Sequence, residues 1–544
     1  MPRPSRRLPQ PRAMVVAPQP EAAEAGAAML AAGGNALDAA LACALTQGVV
    51  DPMMCGIGGI ATLQVFDPRS GTHRVWNGLG TCPGAATPGM WEAIFEGECA
   101  DGFGYRVKGH VNELGAQAIT TPGALRVFAD AHAALGRKPW GALFDGAIGF
   151  AEEGWIVRPH VHAMFTMDEG VWGRLSYAEK LRHTEDGRRL YCRADGTPKR
   201  LGEPIRNPAL AGTLRAIAAG GAEEFYQGGI ARRVVEAVQA GGGLLSLDDL
   251  KGFRTAVSDP LRVPYRGFTV CLPEPPAGGV VVGEMLRILD RFDLTALGHN
   301  SPDYIRLVIE AMKIAGLDKE AHVGDPAFQE VPVARLLSDG YADECAARIR
   351  RGERATLTRP TTDARNTTHV SCVDAEGMFV SMTHTLATPS GLIPPCTGFM
   401  LNGAMNWMDP RPGRAGSIAP GKRRYSSMSP TIVLDGGSPV ATLGAPGGAW
   451  ITVAVMQVLL NLLDWGMTMQ EAVSAPRFSA TSEFIDIANR FPRGTQKALE
   501  AEGYRIRRSY QSFAFAGVHG IARWDGVTCE GGADPQRDGY AAGV

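Results

Sequence analysis

The sequence predicts a layered α/β fold built on antiparallel sheets. Three observations carry that expectation: a strand-like run near the N-terminus, a mainly helical stretch from about residue 124 to 350, and strand-like runs again after residue 366. With 544 residues, 45% of them hydrophobic and 20% charged, the chain is long enough for several cores or for one large layered unit. A formal net charge of −2 argues against nucleic acid or an anionic membrane surface as partner. No run of apolar residues is long enough to span a membrane, and the first residues lack the apolar core of a secretory signal. The ten cysteines show no C-x-x-C pair and no ligand-like spacing to histidine. They predict neither a disulfide framework nor a metal site, and a reducing, cytoplasmic location.

The elements follow in order. Residues 1–13, rich in Arg and Pro, read as a disordered leader. Residues 20–32 form an Ala-rich helix stopped by Gly33-Gly34. Asn35 caps a second helix, 36–47, with Asp38 where an acid favours a helix start. Small side chains suit both helices to close packing on a sheet. Residues 58–66 read as a strand. Helical patterns then cover 124–135, 139–153, 209–219, 230–239 and 304–315, interrupted by a tight Pro- and Gly-rich loop at 272–279. Residues 351–366 are polar and read as an exposed linker ending at Asn366. Strands follow at 367–385, 429–435 and 438–443, then a helix at 450–463. Glycine clusters at 56–59, 241–243, 278–279 and 447–448 mark turns or close backbone approach.

The most informative stretch is 366–385. Two β-rich runs, 369–374 and 378–385, flank Ala375-Glu376-Gly377, a three-residue loop ending in the glycine that such hairpins need. This register sets Thr367 opposite Thr385, with side chains about 5 Å apart. Alternation puts Thr367, His369, Ser371, Ser381, Thr383 and Thr385 on one face, with Thr368, Val370, Cys372, Val380 and Met382 on the other. Taken alone, the pattern also fits an ordinary half-exposed hairpin. His369 shares the face of Thr367; His384 does not. His160 and His162 lack a third ligand and read as surface side chains rather than a metal site. P-loop spacing at 416–422 is discounted, because Arg423 stands where Ser or Thr would hold magnesium. Neither G-x-S-x-G nor H-E-x-x-H occurs.

Five segments together resemble the γ-glutamyltranspeptidase family of N-terminal-nucleophile hydrolases. They are Gly33-Gly34-Asn35-Ala36-Leu37-Asp38, Gly56-Ile57-Gly58-Gly59, Thr367-Thr368-His369, Ser426-Ser427-Met428-Ser429-Pro430 and Gly444-Ala445-Pro446-Gly447-Gly448. The similarity runs from about residue 14 to the C-terminus. It implies a four-layer αββα sandwich and a precursor that cuts itself between Asn366 and Thr367. A large chain, 14–366 beyond the leader, and a small chain, 367–544, would then associate as one compact unit. The Thr367 hydroxyl would be the nucleophile, with its new α-amine as base. The resemblance further implies Thr385 as a hydrogen-bond partner of the nucleophile. Gly447 and Gly448 would be oxyanion-hole donors, and Ser426 and Ser427 a carboxylate-binding pair.

Departures from the family pattern matter as much. No arginine stands in Asn77-Gly78-Leu79-Gly80-Thr81-Cys82-Pro83, where the family holds an α-carboxylate. Positions that would hold an α-ammonium are Ala387, Ala404 and Trp407. An ammonium buried without acceptors is costly. The lid, 408–422, looks short, which implies an open site. Arg423 and Arg424 either replace the lost arginine or are simply solvated, and Trp407 would wall the former amine pocket.

The expected function is therefore a self-processing amidohydrolase for a small amide bearing a carboxylate, such as an oxamate-like amide or an acylated amine. It would need no cofactor or metal. A γ-glutamyl hydrolase or transferase acting on glutathione-like substrates is the alternative. An unprocessed, non-catalytic binding protein is a third reading from another class. A dimer of processed units is compatible with the sequence.

Overall fold

The computed structural model describes residues 11–102, 104–358 and 366–544. In chain order its two main sheets use β1 (Met14–Ala17), β2 (Ile60–Asp67), β3 (Thr72–Gly78), β4 (Ala256–Ser258), β5 (Leu261–Tyr265), β6 (Phe268–Leu272), β7 (Thr368–Val373), β8 (Phe379–Thr385), β9 (Thr431–Asp435), β10 (Ser438–Gly444), β11 (His519–Ala522), β12 (Glu530–Ala533) and β13 (Tyr540–Gly543). Seven strands form one sheet in the order β13-β1-β7-β8-β2-β3-β4, and six form the other, β12-β11-β10-β9-β6-β5. Every pairing in both is antiparallel.

Three apolar cores separate four layers. Val370, Cys372, Val380 and Met382 pack outward from the first sheet against α1 (Pro20–Ala31) and α2 (Ala36–Val50). Val270, Val433 and Leu443 do the same from the second sheet, under α3 (Gly279–Leu289), α4 (Pro302–His322) and α5 (Ile451–Leu463). Between the sheets sit Met14, Val16, Val373, Phe379, Ile432, Leu434 and Ile521. This is the αββα sandwich.

Sequence chemistry explains how the first helical layer fits. All of α2 except Gly48 is buried, so Ala and Gly side chains set how near its neighbours come. A Cβ on Gly26 of α1 would lie 2.9 Å from Ala39 O. Asn35 and Asp38 form the reciprocal capping box that the sequence predicts, satisfying two amides at the buried start of α2.

The hairpin has the expected register, Thr368 opposite His384 and His369 opposite Thr383, with Gly377 at φ 94°. It is not half-exposed. Both faces are buried, and the hydroxyl face lies against the second sheet. There Ser381 Oγ donates to Leu443 O (2.9 Å) and accepts from Thr431 N (3.0 Å), while Thr442 Oγ1 donates to Val380 O (3.1 Å). Ser371 Oγ donates to His519 O at 3.2 Å. Buried hydroxyls need partners, and these side chains staple one sheet to the other. Two glycines mark where the hairpin is approached most closely. A Cβ on Gly59 would lie 2.3 Å from Thr385 O, and one on Gly444 2.3 Å from His369 Cε1.

Two expectations need correction. Arg12 and Ala13, assigned to the leader, donate their amides to Val544 O at 3.2 Å, joining the chain ends beside β1; residues 1–10 lie outside the described residues. The linker is not wholly exposed either. Ala355 N donates to Glu310 Oε2 (2.9 Å), Leu357 is buried, and so is Asn366. The remainder, 359–365, lies outside the described residues.

Candidate active site

β7 begins at Thr368, so Asn366 and Thr367 form the last bend before an interior strand of the first sheet. Both are buried, at 3% and 2% exposure. Thr367 has φ 90°, a left-handed value that costs a β-branched residue about 1–3 kcal/mol. Surrounding contacts must hold it there. Gly447 N donates to Asn366 O at 2.9 Å. Arg537 Nη1 donates to Thr367 O at 3.0 Å. The Tyr177 hydroxyl donates to the Asn366 side-chain oxygen. The peptide between Asn366 and Thr367 is therefore gripped on both sides.

The glycine turn is built for that approach. Gly447 and Gly448 both have positive φ, 138° and 53°, and a Cβ on Gly447 would lie 2.4 Å from Ala516 Cβ. Ala516 is fixed in turn: Arg477 donates to Phe515 O (3.3 Å) and Ala516 O (2.7 Å), and pairs with buried Asp534. Asp534 also accepts from Val518 N at 3.1 Å. A cavity of about 300 Å³, with Gly447, Trp450, His160, Met164, Ala516 and Arg537 in its wall, opens on one side of this turn. A smaller one, about 30 Å³, is lined by Ala449, Ser427, Tyr425, Thr452 and Leu357.

Behind Thr367 runs a buried polar network. His160 Nε2 lies 3.1 Å from Arg537 Nη1 and 3.9 Å from Asp51 Oδ2. Gln19 Nε2 donates to Asp51 Oδ2 (2.7 Å), and Gln47 Nε2 donates to Gln19 Oε1 (2.7 Å) and Thr368 Oγ1 (3.0 Å). Burial raises the Asp51 carboxyl to about 6. His160 is thus no surface side chain, as the sequence reading had it, but part of the support beneath the bend.

His369 does lie on the Thr367 face. Its Nδ1 is 2.9 Å from Thr383 Oγ1 and its Nε2 is 3.0 Å from Ser371 Oγ, and burial lowers its pKa to about 3. It is a neutral spacer between the sheets. His384, on the opposite face, contacts Gln47 Oε1 at 2.7 Å and is also lowered to about 3 by burial.

Thr385 ends β8, one residue beyond the Thr368–His384 pair that closes the hairpin ladder, and its Oγ1 accepts from Ala387 N at 2.9 Å. Beyond it, Ala387 and Ala404 join Ile60, Leu79 and Met428 in an apolar cluster on which Trp407 packs. Over the Trp407 ring, with Cζ 3.3 Å from its centroid, lies the Arg424 guanidinium. Arg424 is only 7% exposed, and no carboxylate among the described residues pairs with it. Burial works against its charge, and nearby Tyr425 offsets this in part. Of the two readings of these arginines, "simply solvated" fails for Arg424. Arg423 is partly buried and its backbone amide donates to Asp325 Oδ2 at 2.8 Å.

The serine pair sits where backbones converge. Ser426 N donates to Pro276 O (2.8 Å) and Gly278 N to Met428 O (3.0 Å), so the Pro-Gly loop at 272–279 supports it from behind. Ser426 is buried; Ser427 faces the smaller cavity beside Ala449. The 408–422 loop is anchored at its base: Gly421 N donates to Cys82 O and Cys82 N to Lys422 O, both at 2.9 Å, and Arg411 pairs with Asp409 and Glu98.

Sequence reasoning missed Tyr177 and Arg537. Arg537 had only the turn chemistry of Asp534-Pro535 just before it as a signal. Tyr177 had none, because a distant helix start carries it to Asn366.

Comparison with known proteins agrees with this construction. The sequence profile of the Gamma-glutamyltranspeptidase family matches residues 22–544. The chain is 36% identical over 545 residues to the Acylase ACY 1 proenzyme of Pseudomonas sp. (strain SE83), spanning 98% of this chain and 94% of that one. It is 34% identical over 517 residues to a Glutathione hydrolase proenzyme of Pseudomonas sp. (strain A14), across 91% and 86% of the two chains. In structure it matches cephalosporin acylase from Bacillus halodurans with a TM-score of 0.86 and 31% identity, over 100% and 98% of the chains. The chain is an enzyme that belongs to the γ-glutamyltranspeptidase family of N-terminal-nucleophile amidohydrolases.

Proposed function

We propose that the protein is a self-processing N-terminal-threonine amidohydrolase, which removes a carboxylate-bearing acyl group from a small amide. The observation that carries this reading is the Asn366 carbonyl held on the Gly447 amide, directly before Thr367. In self-cleavage the Thr367 hydroxyl attacks that carbonyl, whose developing oxyanion Gly447 stabilises. The C–N bond breaks, the Thr367 nitrogen takes a proton, and water hydrolyses the ester to an Asn366 carboxylate and a free α-amine. The α-amine then serves as base for the same hydroxyl in turnover through an acyl-enzyme. Gly447 and Gly448 receive the oxyanion of the substrate amide, and Thr385 orients the nucleophile. The two chains stay associated, since strands of both pair in each sheet: β1 with β7 and β13 and β2 with β8 in one, β6 with β9 in the other.

We base specificity on the side chains gathered around Trp407. Ala387, Ala404 and Trp407 offer no carboxylate or amide to an α-ammonium, whereas Arg424 is a buried cation awaiting an anion. Ser426 and Ser427 lie close in sequence and add hydroxyl donors, with Arg423 at the edge. An acyl group ending in a carboxylate and lacking an α-amine fits: a monoamide of a short dicarboxylic acid. The acylase relatives support removal of an acyl group from an amide. The glutathione hydrolase relative favours γ-glutamyl amides as the second reading. All ten cysteines are unpaired, and all but Cys396 are buried, which supports a reducing, cytoplasmic setting as part of the proposal.

Steady-state assay of glutaryl and γ-glutamyl anilides, matched except for the α-amine, separates the two. The glutaryl compound is expected to be cleaved with kcat/KM at least ~10-fold higher, since an ammonium without partners costs upward of about 1.4 kcal/mol. Preference for the γ-glutamyl compound, accelerated by a dipeptide acceptor, would establish the second reading instead.

A further inference from the structure

The residue before the scissile bond is held by its side chain as well as by its carbonyl. Tyr177 opens the helix Tyr177–Arg182, whose N-terminus is fixed by a capping box between Ser176 and Glu179. Its ring is fully buried, and Tyr177 N donates to Met167 O at 2.9 Å. Lys180 Nζ lies 4.9 Å from the ring centroid and is tied to Glu113 at 2.7 Å and Glu169 at 3.8 Å. Arg174 joins Glu169 to Asp101. These five charged side chains are at most 5% exposed, so the cluster is a rigid base that cannot swing toward solvent. From that base the Tyr177 hydroxyl reaches the Asn366 side-chain oxygen. Burial keeps the phenol protonated, and hence a donor, throughout the ordinary pH range.

We propose that Tyr177 is a positioning residue for self-cleavage, acting through the Asn366 side chain to hold the scissile carbonyl on the Gly447 amide. The inference rests on the self-processing reading above. An amide side chain gripped on one side and a carbonyl gripped on the other leave residue 366 no rotation about its own Cα. The carbonyl carbon therefore stays presented to Thr367 while Arg537 fixes the far side of the bond. Once the bond is cut, Asn366 is no longer part of the reacting unit. Tyr177 should then matter for maturation and not for turnover, a split that ordinary packing would not produce.

The test is a double-mutant cycle on the full-length precursor, with conversion to two chains followed on denaturing gels and turnover measured per processed chain. Tyr177→Phe keeps the ring and removes only the donor; Asn366→Ala removes the acceptor. Each is expected to slow conversion by about 10-fold or more, and the double variant no further than either single one. Turnover per processed site should stay within about twofold of wild type in Tyr177→Phe, since the hydroxyl it loses acts on the Asn366 side chain. Wild-type conversion in Tyr177→Phe, additive effects in the double variant, or turnover falling in step with conversion would each overturn the proposal. Thermal unfolding of both single variants separates a lost fold from a lost clamp, and a folded precursor that converts normally counts against it. Cleavage persisting in Thr367→Ala would instead overturn the self-processing reading itself.

Discussion

Replacing Thr367 with Ala is expected to leave one 57.7 kDa chain after prolonged incubation and to lower amide turnover by on the order of 10⁴-fold or more. Both effects have one origin. In the proposed mechanism one hydroxyl opens the peptide bond and later attacks substrate, and Ala supplies neither step. The fold should survive, because Thr367 precedes β7 and its packing neighbours are held by the Gly447 and Arg537 contacts to backbone oxygens. An Ala at φ 90° retains the backbone penalty, so the variant's stability should lie close to that of the uncut precursor. Denaturing gels and circular dichroism on the same preparation check all three points.

Arg424→Met is expected to lower kcat/KM by about 10²-fold, or ~3 kcal/mol, for a monoamide of a dicarboxylic acid. For a neutral acyl group of equal length the change should stay under about threefold. The reason is the environment of the guanidinium. It lies over the Trp407 ring, nearly excluded from water, without a carboxylate partner among the described residues. Cation–π attraction offsets part of the desolvation cost, and a bound carboxylate would offset more. Removing the charge should leave thermal stability unchanged or raised, since a poorly paired buried cation disfavours the folded state. Self-processing should proceed at the wild-type rate. Equal losses for charged and neutral acyl groups would make Arg424 a packing residue and remove the specificity argument.

Much of this was legible in the sequence because it is local. The hairpin register followed from one three-residue loop, the start of α2 from Asn35 and Asp38, and α5 from its apolar run. The departures at Ala387, Ala404 and Trp407 were legible too, and the structure places all three against one apolar cluster. What escaped was non-local. β5 and β6 lie within a region dominated by helices, and β11 to β13 are four-residue strands whose identity depends on neighbours far away in the chain. The hydroxyl face read as half-exposed because a polar strand face usually meets water; here it meets a second sheet through paired side chains. Tyr177, His160 and Arg537 reach the bend from three separate segments, and no spacing rule links them.

Mass spectrometry of the purified wild-type protein, reading the N-terminal residue of the small chain, tests the central claim most directly. The account predicts a small chain that begins at Thr367 and a large chain that ends at Asn366. A new terminus at any other residue, or a single uncut chain after long incubation, would contradict it.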